Sequence, residues 1–181
     1  MRVVSRWGAT ADEAAEEFPC DRLCAGADAA YLRAVTVRAA PPTVFRWLCQ
    51  LRVAPYSYDW IDNLGRRSPR ALTPGAERLA AGQTVMTIFE LRAFEPDRSL
   101  TVVNKVRRGG RALFGEVWVS YRVVPAPGGA SRLTAKVLVR YPRGPFGRLM
   151  RAVLPIGDLL MMRRQLLNLG ALAEREDRSR R

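Results

Sequence analysis

Three aromatics and two carboxylates share the nine residues Tyr56-Ser57-Tyr58-Asp59-Trp60-Ile61-Asp62-Asn63-Leu64. The segment is too polar for a core strand and too apolar for a solvated linker, and binding groups concentrate on loops held by a rigid scaffold. Tyr56, Tyr58 and Trp60 could form a pocket wall. A carboxylate among them can take a raised pKa and hydrogen-bond or deprotonate a ligand hydroxyl or enol, which is the chemistry open to Asp59. A competing reading makes Asp59 the cap of the short turn Trp60 to Leu64, which ends at Gly65, with the rings as packing.

The strands offer the remaining charged candidates. Glu90 stands among Met86, Ile88 and Arg92, and Glu116 shares strand parity with Trp118, Ser120 and Arg122. Arg140 shares parity with Arg132, Thr134, Lys136 and Leu138 on a later strand. If these faces point into a cavity, a buried Glu–Arg pair would be an acid–base or carboxylate-binding couple. If the purely apolar faces point inward instead, Glu116, Arg122, Lys136 and Arg140 form an outer charge ladder worth little per pair. Alternation alone leaves both faces open.

The chain has no histidine, which excludes Ser-His-Asp, Cys-His and His-rich metal chemistry. Cys20 and Cys24 are four apart and Cys49 stands alone, too few ligands for a structural zinc site. Reduced structural thiols are the expectation, with a Cys20–Cys24 redox pair as the alternative. No metal or cofactor is implied.

These residues need elements to position them. Thr10-Ala11-Asp12-Glu13 has capping-box spacing for a short acidic helix that Pro19 would stop, and Asp21 to Ala30 reads as loop. Tyr31 to Arg38 alternates as a first strand. Pro41-Pro42 starts a helix whose Val44, Trp47, Leu48 and Leu51 share one face. After an aperiodic Pro-, Gly- and Arg-rich stretch come four strands, Thr84–Phe94, Ser99–Val106, Ala112–Val124 and Ser131–Tyr141. Short turns join them into an antiparallel meander. Helical spacing then runs through Phe146, Leu149, Met150, Val153 and Leu154, and again through Leu159, Met162, Leu166, Leu169 and Leu172. Pro155 and Gly157 predict a kink or break between the two runs. Glu174 to Arg181 reads as a charged, frayed tail.

The 181 residues bound one domain, 1–181, with 1–30 as a peripheral segment. No run of eighteen apolar residues and no apolar leader segment is present, so the expectation is a cytoplasmic protein. The net charge of +13 is uneven, since residues 1–64 carry 7 basic and 8 acidic groups and residues 65–181 carry 23 and 9. Of the 30 basic residues 28 are Arg. Codon usage in a GC-rich genome explains such a bias, and so does an electropositive face for anionic ligands, membrane or nucleic acid. Arg107-Arg108-Gly109-Gly110-Arg111 looks like one RGG element, but a single copy between strands fits a basic hairpin turn and makes nucleic acid an unfavoured partner.

Strand, short helix, meander and long terminal helix together suggest an α+β helix-grip fold, a curved antiparallel sheet wrapped around a C-terminal helix with a cavity between. Trp7-Gly8-Ala9-Thr10, Pro41-Pro42-x-Val44-Phe45-x-Trp47-Leu48, Tyr56-Ser57-Tyr58-Asp59-Trp60 and Met162-Arg163-Arg164-x-Leu166-Leu167 resemble bacterial members of the START/polyketide-cyclase-like (SRPBCC) superfamily, over roughly residues 7–175. The resemblance implies a hydrophobic ligand cavity. With the aromatic placement, it points to Trp47, Tyr56, Tyr58, Trp60, Phe89, Trp118, Met150, Leu154 and Met161 as ligand-binding residues for a small, largely apolar lipid or polyketide-like molecule. The enzymatic alternative is a cofactor-independent cyclase or dehydratase with Asp59, Glu90 or Glu116 as base and Arg140 or a Tyr as stabiliser. A third reading is an electrostatic binder acting through residues 65–181. Arginines on the terminal helix are also compatible with transient contact with an anionic membrane.

Overall fold

The computed structural model describes residues 2–105 and 115–180. The described residues form one seven-stranded sheet from β1 Arg6–Trp7, β2 Ala29–Val37, β3 Thr84–Val85, β4 Phe89–Glu95, β5 Ser99–Asn104, β6 Glu116–Ala126 and β7 Ala130–Arg140. Their order is β1-β2-β7-β6-β5-β4-β3. Every pairing is antiparallel except β1 with β2, which makes the sheet mixed. Against one face lies α6, Pro145–Arg180, in contact with β2 and with the short helix α4, Pro41–Cys49. This is a helix-grip α+β fold. Among the described residues no helix is long and apolar enough to cross a membrane.

The inner face follows strand parity. Tyr31, Val35 and Val37 of β2, Leu133, Ala135, Val137 and Val139 of β7, and Val119, Tyr121 and Val123 of β6 are buried with Met162, Leu166 and Leu169 of α6. Apolar residues two apart on a strand share one side, so each strand contributes its apolar row to this core. In α4 the stripe Val44, Trp47 and Leu48, continued by Leu51 in the 3-10 turn Gln50–Arg52, faces the same core.

The outer face is also covered. Helices α1 (Arg2–Ser5), α2 (Ala11–Ala15) and α3 (Pro19–Leu23) precede β2, and Phe18, Cys20 and Cys24 form a second apolar cluster with Leu32, Val103, Trp118 and Leu138. Around it, Glu13 pairs with Arg132 at 2.6 Å, Asp21 with Lys136 at 2.7 Å, and Glu16 with Arg122. The acidic N-terminal segment is therefore a strap across the basic strands β6 and β7 rather than a peripheral appendage. The three thiols are free and buried, and burial raises their pKa values.

Four sequence expectations need correction. Pro19 begins α3 instead of ending a helix, because its missing N–H costs nothing in a first turn. The span Thr84–Phe94 is not one strand, since Met86 and Thr87 take positive φ (47° and 63°) and turn β3 back onto β4. The terminal helix is unbroken at Pro155, which is buried, as are Gly147, Met162 and Leu166 along the same helix. The loss of one intrahelical bond there is outweighed by packing on both sides. The charged tail is helical to Arg180, anchored where Glu176 accepts from Trp47 Nε1 (2.7 Å) and Glu174 accepts from the Arg38 amide (2.9 Å). The Arg107–Arg111 turn lies outside the described residues.

Candidate functional site

The groups with the most chemical potential lie between the sheet and the middle of α6. Parity places Arg33 on the inner row of β2 between Tyr31 and Val35, where its side chain is 0% exposed. Its Nη2 donates to Asp158 Oδ2 at 2.8 Å and to the Val4 carbonyl at 2.8 Å, and Nη1 donates to the Leu32 carbonyl at 3.1 Å. Arg33 Nε has no partner among the described residues. Asp158, 13% exposed, is carried into this layer by α6. Burial pushes its carboxyl up to about 6, against the pull of the Arg33 guanidinium.

Phenols surround the pair. The Arg33 guanidinium lies over the Tyr31 ring at 5.5 Å, and the Tyr31 and Tyr141 hydroxyls are 2.5 Å apart in a buried pair. Burial holds the Tyr141 phenol well above its ordinary pKa, and the Tyr31 hydroxyl bond adds to the effect. Further along α6, Tyr121 Oη donates to Gln165 Oε1 at 2.6 Å, and Gln165 Nε2 donates to the Pro55 carbonyl at 2.6 Å. The layer thus holds a guanidinium, a carboxyl of elevated pKa and phenols out of water, groups suited to gripping the polar end of an otherwise apolar molecule.

Of the residues singled out from sequence, Trp47 and Tyr56 are buried beside this layer, ring to ring at 6.2 Å in a T-shaped contact. Tyr56 adopts φ 56°, and burial raises its phenol to about 12. Phe89, Met150 and Leu154 are half-buried against the inner core, Met161 is half-buried on α6, and Tyr58 lies under the Arg164 guanidinium at 5.9 Å. Trp60 does not join them, being 75% exposed, because the turn α5 (Asp59–Asp62) points its ring outward. Asp59 is neither a free base nor an N-cap. It is the first residue of α5, and its carboxylate accepts from Ser68 N (2.8 Å) and Ser68 Oγ (2.5 Å), pinning the following loop.

The sheet candidates fall on the other face. Trp118 is only 7% exposed, yet it is buried under the strap in the outer cluster, with Nε1 donating to Glu116 at 2.7 Å. Glu116 also pairs with its cross-strand partner Arg140 at 3.3 Å, and Glu90 pairs with Arg92 at 2.8 Å. An acid–base role for Glu90, Glu116 and Arg140 in the sheet–helix layer is thereby removed. Arg33, Asp158, Tyr31, Tyr121, Tyr141 and Gln165 were not foreseen. The available signals were a lone arginine in an apolar row and the only acid between positions 145 and 173.

Among the described residues, clefts open at the surface at two places. One of about 620 Å3 lies at the start of α6, and one of about 230 Å3 lies beside Trp47, Leu72 and Glu176.

No family model matches the sequence, and no curated protein matches it. Solved structures do. Protein MLL2253 from Mesorhizobium loti is 18% identical with a TM-score of 0.52, over 82% of this chain and 98% of that one. Zhui aromatase/cyclase from Streptomyces sp. R1128 is 15% identical with a TM-score of 0.51, covering 81% and 94%. Ara h 8.0201 is 10% identical with a TM-score of 0.51, covering 80% and 96%. The chain has the START/polyketide-cyclase-like (SRPBCC-type) fold. At these identities the likeness extends to the fold alone.

Proposed function

We propose that the chain binds a small, largely apolar ligand, lipid or polyketide-like, between the sheet and α6, with the ligand's polar end at Arg33 and Asp158. The carrying observation is Arg33 itself, fully buried with Nε unpartnered among the described residues. A buried cation with an unmet donor is costly to keep for stability, and an acceptor supplied by a ligand would satisfy it. Four of the five methionines, Met86, Met150, Met161 and Met162, lie on α6 or close to it, as where the Met86 sulfur meets Gln165 Nε2. Thioether side chains repack readily and would yield room to an incoming apolar body.

A specific observation favours a second, enzymatic reading. The fold occurs in an aromatase/cyclase, and Asp158 is a carboxyl in the layer with its pKa raised to about 6. It would be the proton-transfer group of a cofactor-independent cyclase or dehydratase, in place of Asp59, Glu90 and Glu116. Ligand exchange at an anionic membrane is supported by the exposed row Phe146, Leu149, Val153, Ile156 and Leu160 beside the arginines of α6.

Titration with the neutral probe N-phenyl-1-naphthylamine, alongside native mass spectrometry of freshly purified protein, tests the binding. One-to-one uptake that weakens in Met162→Trp, which adds bulk to the inner core under α6, is expected. A folded protein that takes up no probe and carries no apolar molecule would refute the reading.

A further inference from the structure

We propose that the cleft at the start of α6 is a separate binding site for a phosphate-bearing anion. It goes beyond the apolar site and does not depend on it. The cleft is concave, about 620 Å3, and among the described residues its charged lining is Arg140, Arg143, Arg148 and Arg151 against one carboxylate, Asp28. Four positive groups and one negative leave a net charge of +3 on those residues. Concave walls lined by one sign of charge concentrate the potential where a small anion would sit.

The four arginines divide into two held and two free. Arg140 is anchored by Glu116 at 3.3 Å and by the carbonyls of Ala25 and Gly26. Arg151 is anchored by Asp28 at 3.0 Å and lies over the Tyr141 ring at 4.9 Å. Arg143 and Arg148 are exposed and have no side-chain partner among the described residues. Elsewhere the basic side chains that face the strap, Arg122, Arg132 and Lys136, each have a carboxylate. Unpaired guanidinium forks in a cleft match the oxygens of a phosphate group bidentately, and their number favours an anion of more than one charge.

The backbone adds to the field. Gly144 and Gly147 line the cleft, and a Cβ on Gly147 would fall 1.7 Å from the Pro142 carbonyl oxygen. The first turn of the 36-residue helix is therefore seated flush against the preceding segment, with its positive end at the cleft. This contribution is secondary to the arginines.

Isothermal titration at low salt, about 50 mM, with two probes tests the site and separates its sources. Inorganic pyrophosphate reports a free phosphate compound, and monomeric dihexanoyl phosphatidic acid reports a lipid headgroup. Binding of either probe is expected, weakened about tenfold or more in R143Q/R148Q, as loss of charge-assisted hydrogen bonds implies. R66Q/R67Q removes the same charge from exposed residues outside the cleft and is expected to change affinity by less than about twofold. R143K/R148K keeps the charge without the fork and is expected to fall between, which covers the case of a poorly folded glutamine pair. Binding of phosphatidic acid alone assigns a headgroup, and binding of both probes assigns phosphate as such. No heat from either probe on the unmodified chain, or equal weakening in the R143Q/R148Q and R66Q/R67Q proteins, overturns the proposal. N-phenyl-1-naphthylamine uptake is expected to be unchanged in R143Q/R148Q, so failure of one site does not mimic failure of the other.

Discussion

Replacing the two partners of the buried ion pair singly and together should give three different outcomes. In Asp158→Leu the Arg33 guanidinium is left buried, at 0% exposure, without its counter-ion. Removing one partner of such a pair costs about 3–5 kcal/mol. In a chain of this length that lowers the melting temperature by roughly 6–20 °C. Arg33→Met leaves Asp158, whose carboxyl can escape by taking a proton. Burial already holds it at about 6 with the arginine present, and removing that cation would raise it further. A folded pKa above the unfolded value means the folded state binds the proton more tightly. The stability of Arg33→Met should therefore be highest below about pH 4, and fall as pH rises through the acid range and past 6. The double variant Arg33→Met/Asp158→Leu removes both charges and should match the parent or exceed it by up to about 4 kcal/mol. Urea unfolding at pH 5 and pH 8 measures all three. A pH-independent Arg33→Met, or a double variant less stable than either single one, would refute the account of the layer. If the double variant is stable yet takes up apolar probe normally and loses only ligands with a polar end, the pair serves recognition rather than folding.

The other outcomes follow from single contacts. Gly147→Ala should destabilise by about 1–3 kcal/mol in thermal melts, because the new Cβ meets backbone rather than a movable side chain. Trp47→Phe keeps the ring contact with Tyr56 but loses the bond to Glu176, and about 1–2 kcal/mol should go with it in urea titrations. Trp60→Ser should stay within about 0.5 kcal/mol of the parent by the same measurement, as expected for an exposed side chain. Cys49, fully buried with its thiol pushed up to about 12, should remain unlabelled by a thiol reagent at pH 8 until the chain is unfolded.

Much of the scaffold was legible because one physical rule governed it. The stripe Val44, Trp47, Leu48 and Leu51 and the rows Val119–Val123 and Leu133–Val139 are apolar at the period of their element, and all face the inner core. The site was less legible because a side chain's type does not report what covers it. Trp118 looks like a cavity aromatic, but the outer face is itself buried under Phe18, Cys20 and Cys24, so an aromatic on either face would be inside. Met86 and Thr87 carry no sequence sign of positive φ, a conformation that glycine or asparagine normally announces. Arg33 breaks the apolar row it sits in, and only the placement of Asp158 across the layer shows why it can remain there.

The uneven charge of the chain now has a structural consequence. A basic outer sheet face exposed to solvent would support the electrostatic-binder reading on a broad surface. Instead Glu13, Glu16 and Asp21 each meet a cation of β6 or β7. The strap is held by the apolar burial of Phe18 as well, with the Arg122 guanidinium 4.1 Å from that ring. Solvent-exposed pairs alone would be worth too little to keep it in place. Because the strap neutralises the middle of the face, unpaired positive charge is left at its end, where β7 runs into α6 and Arg143 and Arg148 have no carboxylate among the described residues. Part of the excess of arginine over acid thus lines a concave place of limited size, which suits a small anion better than an extended polyanion.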